Sequence, residues 1–271
     1  MPELPEVETL KNALLPLIKN QVLEEMIFHR ADLRFPIPIG LLDQKMTGQR
    51  VADVARKGKY LLWEVAEGAM VLHLGMSGRV VQRPSPQPVE KHCHAVFKFS
   101  SNVFLHFIDP RRFGCIVWAP RESGHPLLNH LGPDPLTADA SPERMKQFAQ
   151  NRKTSIKAFL MDAHQLAGVG NIYACESLFR SGIHPLRQAG RLSLKRWGKL
   201  MTELKTVLQE SIKAGGSTLR DFYGADGSPG YYSTRFTVYG REHQPCMNCQ
   251  ESISRLVQTG RSTFYCKHCQ K

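Results

Sequence analysis

Residues 246–269, CMNCQESISRLVQTGRSTFYCKHC, contain two C-x-x-C pairs, Cys246 with Cys249 and Cys266 with Cys269, separated by sixteen residues. This spacing lies in the range of four-cysteine zinc sites, in which each pair occupies a tight turn and contributes two thiolates. Four thiolates complete the tetrahedral coordination of zinc, so the sequence predicts one structural zinc ion in a ribbon. Because about 25 residues cannot form a hydrophobic core, metal binding would supply the folding free energy of this segment.

The charge balance of the chain indicates an anionic partner. Lys and Arg number 36 against 24 Asp and Glu, which gives a formal net charge of +12 at pH 7. The commonest anionic partner of such a chain is nucleic acid. No apolar run approaches the roughly 20 residues of a membrane helix, and the acidic first residues do not resemble a signal peptide. We expect a cytoplasmic protein that does not contact membranes, a compartment in which clustered cysteines favour a metal site over disulfides.

The rest of the chain divides into a strand-rich half and a helical half. Short apolar stretches bounded by Gly, Pro and Asp favour a β-sandwich or barrel, and they are Val51–Val54, Tyr60–Val65, Met70–Leu74, Ala95–Phe99, Val103–Ile108 and Cys115–Trp118. From about residue 141 the apolar period is helical, and the predicted helices are Pro142–Gln150, Ser155–Asp162, Asn171–Ser181 and Ser193–Lys213. A further helix is predicted to begin near Pro5, because proline followed by acidic residues suits a first turn.

Three glycine-containing segments connect these elements. Gly168–Asn171 joins two predicted helices tightly, as in a helix-hairpin-helix connection. Gly215–Tyr232 is rich in glycine and is predicted to be a long mobile loop. Gly260 allows a turn that would place Arg261 at a hairpin tip, where a phosphate contact is its simplest role.

Pro2 and Glu3 at the start of the chain are a candidate catalytic pair. If Met1 is removed, Pro2 presents a secondary amine, and a terminal amine titrates near pH 8, roughly two units below lysine. The neutral amine can attack an electrophilic carbon and form an iminium, while a neighbouring carboxyl group moves protons. On these residues alone, a start methionine followed by an ordinary lead-in to a helix is the favoured interpretation.

The chain resembles the formamidopyrimidine-DNA glycosylase family in blocks that run through its length in the family order. These are MPELPEVET at 1–9, KGKYLL at 57–62, HLGMSG at 73–78, DPRRFG at 109–114, GVGNIYA at 168–174 and GRSTFYC at 260–266, followed by the zinc cysteines. The resemblance implies an α+β fold. Its parts would be an N-terminal β-sandwich with a leading helix over 1–135, a helix-two-turn-helix domain over 136–225 and a four-cysteine zinc ribbon over 226–271.

The same resemblance implies an activity and four catalytic residues. The enzyme would remove oxidised purines, namely 8-oxoguanine and formamidopyrimidines, and then cut the abasic strand by β- and δ-elimination. Pro2 would attack the sugar C1′ as the nucleophile, and Glu3 would shuttle protons during ring opening. Lys59 would assist elimination near the phosphates, and Arg261 would serve the second elimination.

Six DNA contacts of two kinds are also implied by the resemblance. Met76, Arg111 and Phe113 would fill the space left when the damaged base leaves the stack, a step that chemistry at C1′ requires. His92, Arg152 and Asn171 would hold phosphates, with Arg152 standing where a lysine is common in the family. The partner would be double-stranded DNA containing oxidised bases, and the protein would act as a monomer.

Alternative interpretations remain at this point. The nearest is an oxidised-pyrimidine glycosylase of the endonuclease VIII type, which shares the nucleophile, although Leu4, the residues Val7-Glu8-Thr9 and the segment Gly215–Tyr232 favour the purine branch. A catalytically inert lesion-binding protein of the same fold is the second, and a zinc-ribbon transcription or translation factor is the third. Without the resemblance, Met76 and Phe113 would be interpreted as core residues and Lys59 as a solvated surface residue.

Overall fold

The computed structural model describes residues 2–87, 89–217 and 232–271. The chain forms two compact units, one made of Met1–Asn129 with Ala214–Tyr231 and the other of His130–Lys213 with Tyr232–Lys271. Most of the predicted loop Gly215–Tyr232 lies outside the described residues.

The first unit begins with helix α1, Leu4–Ile18, which confirms the helix predicted near Pro5. Glu3 occupies the N-cap position, and its backbone amide donates to Glu6 Oε2 at 2.8 Å. This arrangement satisfies a backbone donor that precedes the helix and fixes the backbone beside Pro2.

Two antiparallel four-stranded sheets form the described part of this unit, with strand orders β2-β3-β4-β8 and β1-β6-β7-β5. The strands are β1 (Leu23–Phe28), β2 (Asp53–Lys57), β3 (Tyr60–Val65), β4 (Gly68–His73), β5 (Arg79–Arg83), β6 (Cys93–Phe99), β7 (Val103–Ile108) and β8 (Cys115–Pro120), accompanied by helices α2 (Ile39–Met46) and α3 (Pro126–Asn129).

One apolar core joins the two sheets and α1, so the fold is a sandwich rather than a barrel. The Trp63 ring of β3 meets the Phe97 ring of β6 edge to face, with centroids 4.9 Å apart, and Phe99 packs on the same indole at 5.7 Å. Leu10 and Leu14 of α1 are fully buried in this core. The N-terminal residues are thereby anchored to a rigid scaffold.

The second unit contains helices and a hairpin. Its elements are α4 (Pro142–Ala149), α5 (Ile156–Met161), α6 (Asn171–Ser181), α7 (Leu194–Lys213), β9 (Ser254–Gln258) and β10 (Arg261–Tyr265). The Ser141 and Ser155 side chains cap the starts of α4 and α5, and Gly182 ends α6 in the left-handed region with φ of 71°. No helix in the described ranges combines the length and apolarity needed to cross a membrane.

The structure confirms the predicted helices and strands with shifts of one to three residues at several ends. It also contains β1, β5, α2 and α3, which were not predicted from the sequence. β1 and β5 are the two edges of one sheet, and each shows a mixed burial pattern instead of a clean alternation. A strand with one neighbour buries less of its surface, so its sequence carries a weaker apolar signal.

Candidate active site and zinc centre

The start of the chain places two buried residues side by side at the N-terminus of α1. Pro2 is buried, and Glu3 is only 3% exposed. If Met1 is removed, the buried Glu3 carboxyl group lies next to a terminal ring nitrogen, which suits proton transfer at the atom to which that nitrogen bonds.

Glu6 supports this pair from one turn further along the helix. In addition to the Glu3 amide, it accepts hydrogen bonds at Oε1 from the backbone amide and the hydroxyl of Ser217, both at 2.8 Å. A Cβ on Gly216 would lie 3.2 Å from Glu6 Cγ, so this approach favours glycine. The sequence analysis missed Glu6, and the only local signal was an acidic residue three positions after the N-cap.

Lys59 lies in the turn between β2 and β3, where Gly58 adopts a φ of 59°. The turn is tied to α1 through Arg56, whose side chain is 6% exposed. Arg56 Nε donates to Glu8 Oε2 at 2.6 Å, and Nη1 donates to the Gly58 carbonyl at 3.1 Å. Burial raises the pKa of Glu8, but hydrogen bonds from Lys11 and Arg56 outweigh it and leave the pKa below its ordinary value. Glu8 therefore stays ionised and fixes the turn that presents Lys59.

His73, at the end of β4, is a neutral histidine next to this turn. Burial, reinforced by the charges of Lys59 and Arg34, lowers the pKa of His73 to about 4. Its Nδ1 accepts the Gly75 amide at 3.0 Å, which assigns the imidazole proton to Nε2. His73 thus supports the backbone of the turn that carries Met76.

This depressed pKa predicts a specific loss of stability in acid. Because the folded pKa lies below that of the unfolded chain, the unfolded state binds more protons between about pH 6.5 and pH 4, and stability falls as the pH drops through that window. The loss attributable to His73 is at most about 3.5 kcal/mol. We expect His73→Gln to reduce it in urea unfolding curves, whereas the exposed His29→Gln should not. Equal losses in both variants would contradict the assignment.

Met76, Arg111 and Phe113 lie on two neighbouring turns of the first unit. The Arg111 guanidinium lies 5.1 Å from the Phe113 ring centre, and Phe113 is 45% exposed. Phe113 is therefore a surface aromatic residue and not a core residue. His92 is exposed with a φ of 67°, and its carbonyl accepts the Asp109 amide at the start of the Arg111 turn.

In the second unit, Asn171 and Arg261 are linked through the backbone of the hairpin. Asn171 is the first residue of α6, and its Nδ2 donates to the Ser262 carbonyl at 2.9 Å. Its Oδ1 is buried with no hydrogen-bond partner among the described residues. Arg261 begins β10 directly after the Thr259-Gly260 turn and is exposed, as the sequence predicted.

The sequence analysis missed Lys157 of α5, a lysine only 1% exposed. Its Nζ donates to Thr263 Oγ1 at 2.6 Å and to the Ser262 carbonyl at 3.3 Å, so it fixes the same strand as Asn171. Arg152, after α4, is exposed, and its Nε donates to the Phe148 carbonyl at 2.7 Å. The other guanidinium nitrogens remain available for an anion.

Cys246, Cys249, Cys266 and Cys269 converge as the sequence predicted, with all four Sγ atoms within 4.8 Å of one another. The Cys246–Cys269 and Cys249–Cys266 sulfur separations are 3.9 and 3.5 Å. Tetrahedral zinc with bonds of about 2.3 Å separates its thiolates by about 3.8 Å, so the donor set fits one structural zinc ion. In the described ranges, no other group of three or more His, Cys, Asp or Glu ligand atoms is gathered in this way.

Comparisons with known proteins agree with this geometry. Family models match over residues 1–116 (formamidopyrimidine-DNA glycosylase N-terminal domain), 131–223 (its H2TH domain) and 244–271 (zinc finger found in FPG and IleRS). The formamidopyrimidine-DNA glycosylase of Acidithiobacillus ferrooxidans is 44% identical over 271 residues, with both chains fully covered.

Solved structures show the same similarity. MutM (FPG) from Thermus thermophilus has a TM-score of 0.87 at 39% identity, covering 99% of this chain and 98% of that one. A MutM in complex with DNA containing carbocyclic 8-oxo-G has a TM-score of 0.90 at 30% identity, with both chains fully covered. With the buried Pro2–Glu3 start, the zinc cysteines and matches along the whole sequence, the chain belongs to the formamidopyrimidine-DNA glycosylase family.

Proposed function

We propose that this enzyme excises 8-oxoguanine and formamidopyrimidines from double-stranded DNA and then cleaves the abasic strand. The observation that carries the proposal is the buried Pro2–Glu3 pair at the N-terminus of α1. Glu6 holds this pair in place by accepting a hydrogen bond from the Glu3 backbone amide. A terminal amine held against a carboxyl group can perform both covalent attack and proton transfer.

In the first step, the neutral amine of Pro2 attacks C1′ of the damaged nucleotide. The N–C1′ bond forms as the bond from C1′ to the base breaks, and the base leaves with the proton that the attacking nitrogen releases. Glu3 protonates the ring oxygen so that the sugar opens to an iminium. The buried position of Glu3 supports this role, because it keeps bulk water away from the carboxyl group.

Two eliminations follow from the iminium. Loss of a C2′ proton breaks the bond from C3′ to its phosphate, and a second elimination breaks the bond from C5′ to the other phosphate, which leaves a one-nucleotide gap. We assign Lys59 to the phosphates of the first elimination and Arg261 to those of the second. Zinc supplies only the fold of the hairpin that carries Arg261.

We assign the DNA contacts to exposed and partly exposed residues of both units. Met76, Arg111 and Phe113 occupy the space that the extruded base leaves. His92, Arg152 and Asn171 hold phosphates. The Asn171 side chain is oriented by the hydrogen bond from its Nδ2 to the Ser262 carbonyl of the hairpin, and its Oδ1 is buried with no hydrogen-bond partner among the described residues. We further propose that the enzyme acts as a monomer in the cytoplasm, with domain boundaries near residues 135 and 225.

A direct comparison of substrates tests the function. We expect borohydride to trap the protein on a duplex containing 8-oxoguanine opposite cytosine, with at least about tenfold faster trapping than on a thymine-glycol duplex. Faster reaction with thymine glycol would favour the oxidised-pyrimidine alternative. No covalent adduct on either duplex from zinc-loaded protein with a free Pro2 amine would leave only an inert lesion-binding protein.

A further inference from the structure

Two loops cross between the sheets of the first unit side by side. Residues 74–78 connect β4 to β5, and residues 109–114 connect β7 to β8. Because β4 pairs with β8 and β5 pairs with β7, the two connections run in opposite directions along the same edge of the sandwich. Their backbones touch, since a Cβ on Gly75 would lie 2.4 Å from the carbonyl carbon of Phe113.

The carboxylate of Asp109 lies between these two connections and is fully buried. Its Oδ1 accepts the Ser77 hydroxyl at 2.9 Å and the Arg111 amide at 3.3 Å. Its Oδ2 accepts the Gly114 amide at 2.8 Å. One side chain therefore binds Ser77, the residue after Met76, together with Arg111 and Gly114, which lie two positions before and one position after Phe113.

The backbone of Asp109 is fixed on a third segment. Its amide donates to the His92 carbonyl at 3.0 Å, and its carbonyl accepts a hydrogen bond from His94 Nε2 at 2.8 Å. The carboxylate is thus held at a defined position, and it positions in turn the groups that donate hydrogen bonds to it.

We propose that Asp109 is a positioning residue that joins the two connections into one rigid element, so that Met76, Arg111 and Phe113 enter the duplex together. This inference rests on the proposed function of those three residues. A preformed element loses less conformational freedom when the DNA is engaged than three independent side chains on mobile loops would.

The test compares Asp109→Asn and Ser77→Ala with the parent and with two surface controls, Asp53→Asn and Ser101→Ala. Asparagine keeps the shape of Asp109 but replaces one of its two acceptor oxygens with an NH2 group, so it can accept the donors on only one side, either those at Oδ1 or the Gly114 amide at Oδ2. Each protein is assayed twice: for excision of 8-oxoguanine from a duplex, and for borohydride trapping on a single-stranded abasic oligonucleotide, in which no space in a stack has to be filled.

We expect Asp109→Asn to slow duplex excision at least about tenfold and Ser77→Ala about threefold, with single-strand trapping within about twofold of the parent. The controls should match the parent in both assays. The double variant should be no slower than Asp109→Asn, because both changes remove the same link.

Three results would overturn the inference. They are duplex excision by both variants at the rate of their controls, equal losses on duplex and single strand, and fully additive effects in the double variant. Failure of the proposed function is distinguishable, because the parent itself would then form no adduct on either DNA.

Discussion

A form of the protein that retains one residue ahead of Pro2 is expected to give no borohydride-trapped adduct and to excise 8-oxoguanine at least about a thousandfold more slowly than the form that begins at Pro2. The reason is chemical, because the extra residue converts the ring nitrogen into an amide whose lone pair is delocalised into the carbonyl group. The measurement is single-turnover excision and adduct formation with both forms, whose N-termini are verified by mass spectrometry.

The Pro2→Gly variant distinguishes the contribution of the terminal amine from that of the proline ring. The variant keeps a terminal amine, so we expect a weaker adduct rather than none. Duplex binding by the extended form should remain within about threefold of that of the processed form, because the zinc hairpin and the phosphate contacts are unchanged. Equal trapping of the extended form would reassign the nucleophile to another amine, with Lys59 as the first candidate because it is already assigned to the eliminations.

The sequence predicted those features of the structure that are specified by a few neighbouring residues. The cysteine pairs and the Pro2–Glu3 pair can each be recognised from a few consecutive residues, and the structure brings the four thiols together. The core strand β3 is largely apolar in sequence and alternates cleanly in burial, and its predicted bounds agree with the structure. In such elements, local pattern and tertiary packing favour the same conformation.

The residues that hold the candidate site residues in place could not be predicted from local sequence patterns. Glu6 meets Ser217 across 211 positions, and Arg56 meets Glu8 across 48. Lys157 reaches Thr263 across 106 positions, and a lysine within a helical pattern is ordinarily a solvated residue. Asp109 was visible as part of DPRRFG, but its function depends on the sheet pairing that sets two distant loops side by side. Residues that hold the active residues in place are thus specified by topology.

Removal of zinc is the other change from which we expect a large effect. It should weaken DNA binding and impair the second elimination. Chelation, or Cys249→Ala, should lower affinity for a lesion duplex by about a hundredfold or more, since metal binding is the folding free energy of the ribbon. Metal content should fall from one zinc per chain to near zero. His268→Ala, an exposed change between two ligands, should retain zinc and affinity.

The loss should extend to the helices of the second unit, because the ribbon is anchored to them by buried polar groups. Glu176 of α6, which is fully buried, accepts the amides of Thr237, Val238 and Tyr239 at 2.8–3.0 Å. Gln270 Nε2 donates to the Ile183 carbonyl at 2.8 Å. When the ribbon unfolds, these groups lose their partners, and a buried polar group left unsatisfied costs about 1–3 kcal/mol.

Arg261→Ala distinguishes the fold of the ribbon from its chemistry. This variant should keep zinc and most of the duplex affinity but accumulate the product of the first elimination, because the cation assigned to the second is missing. Zinc-free protein should instead fail to engage the duplex, while trapping on a single-stranded abasic oligonucleotide persists, since Pro2, Glu3 and Lys59 belong to the first unit. If zinc-free protein showed the same product pattern and affinity as Arg261→Ala, the metal would matter only through that arginine. If single-strand trapping also vanished, the ribbon would be required for the chemistry of the first unit.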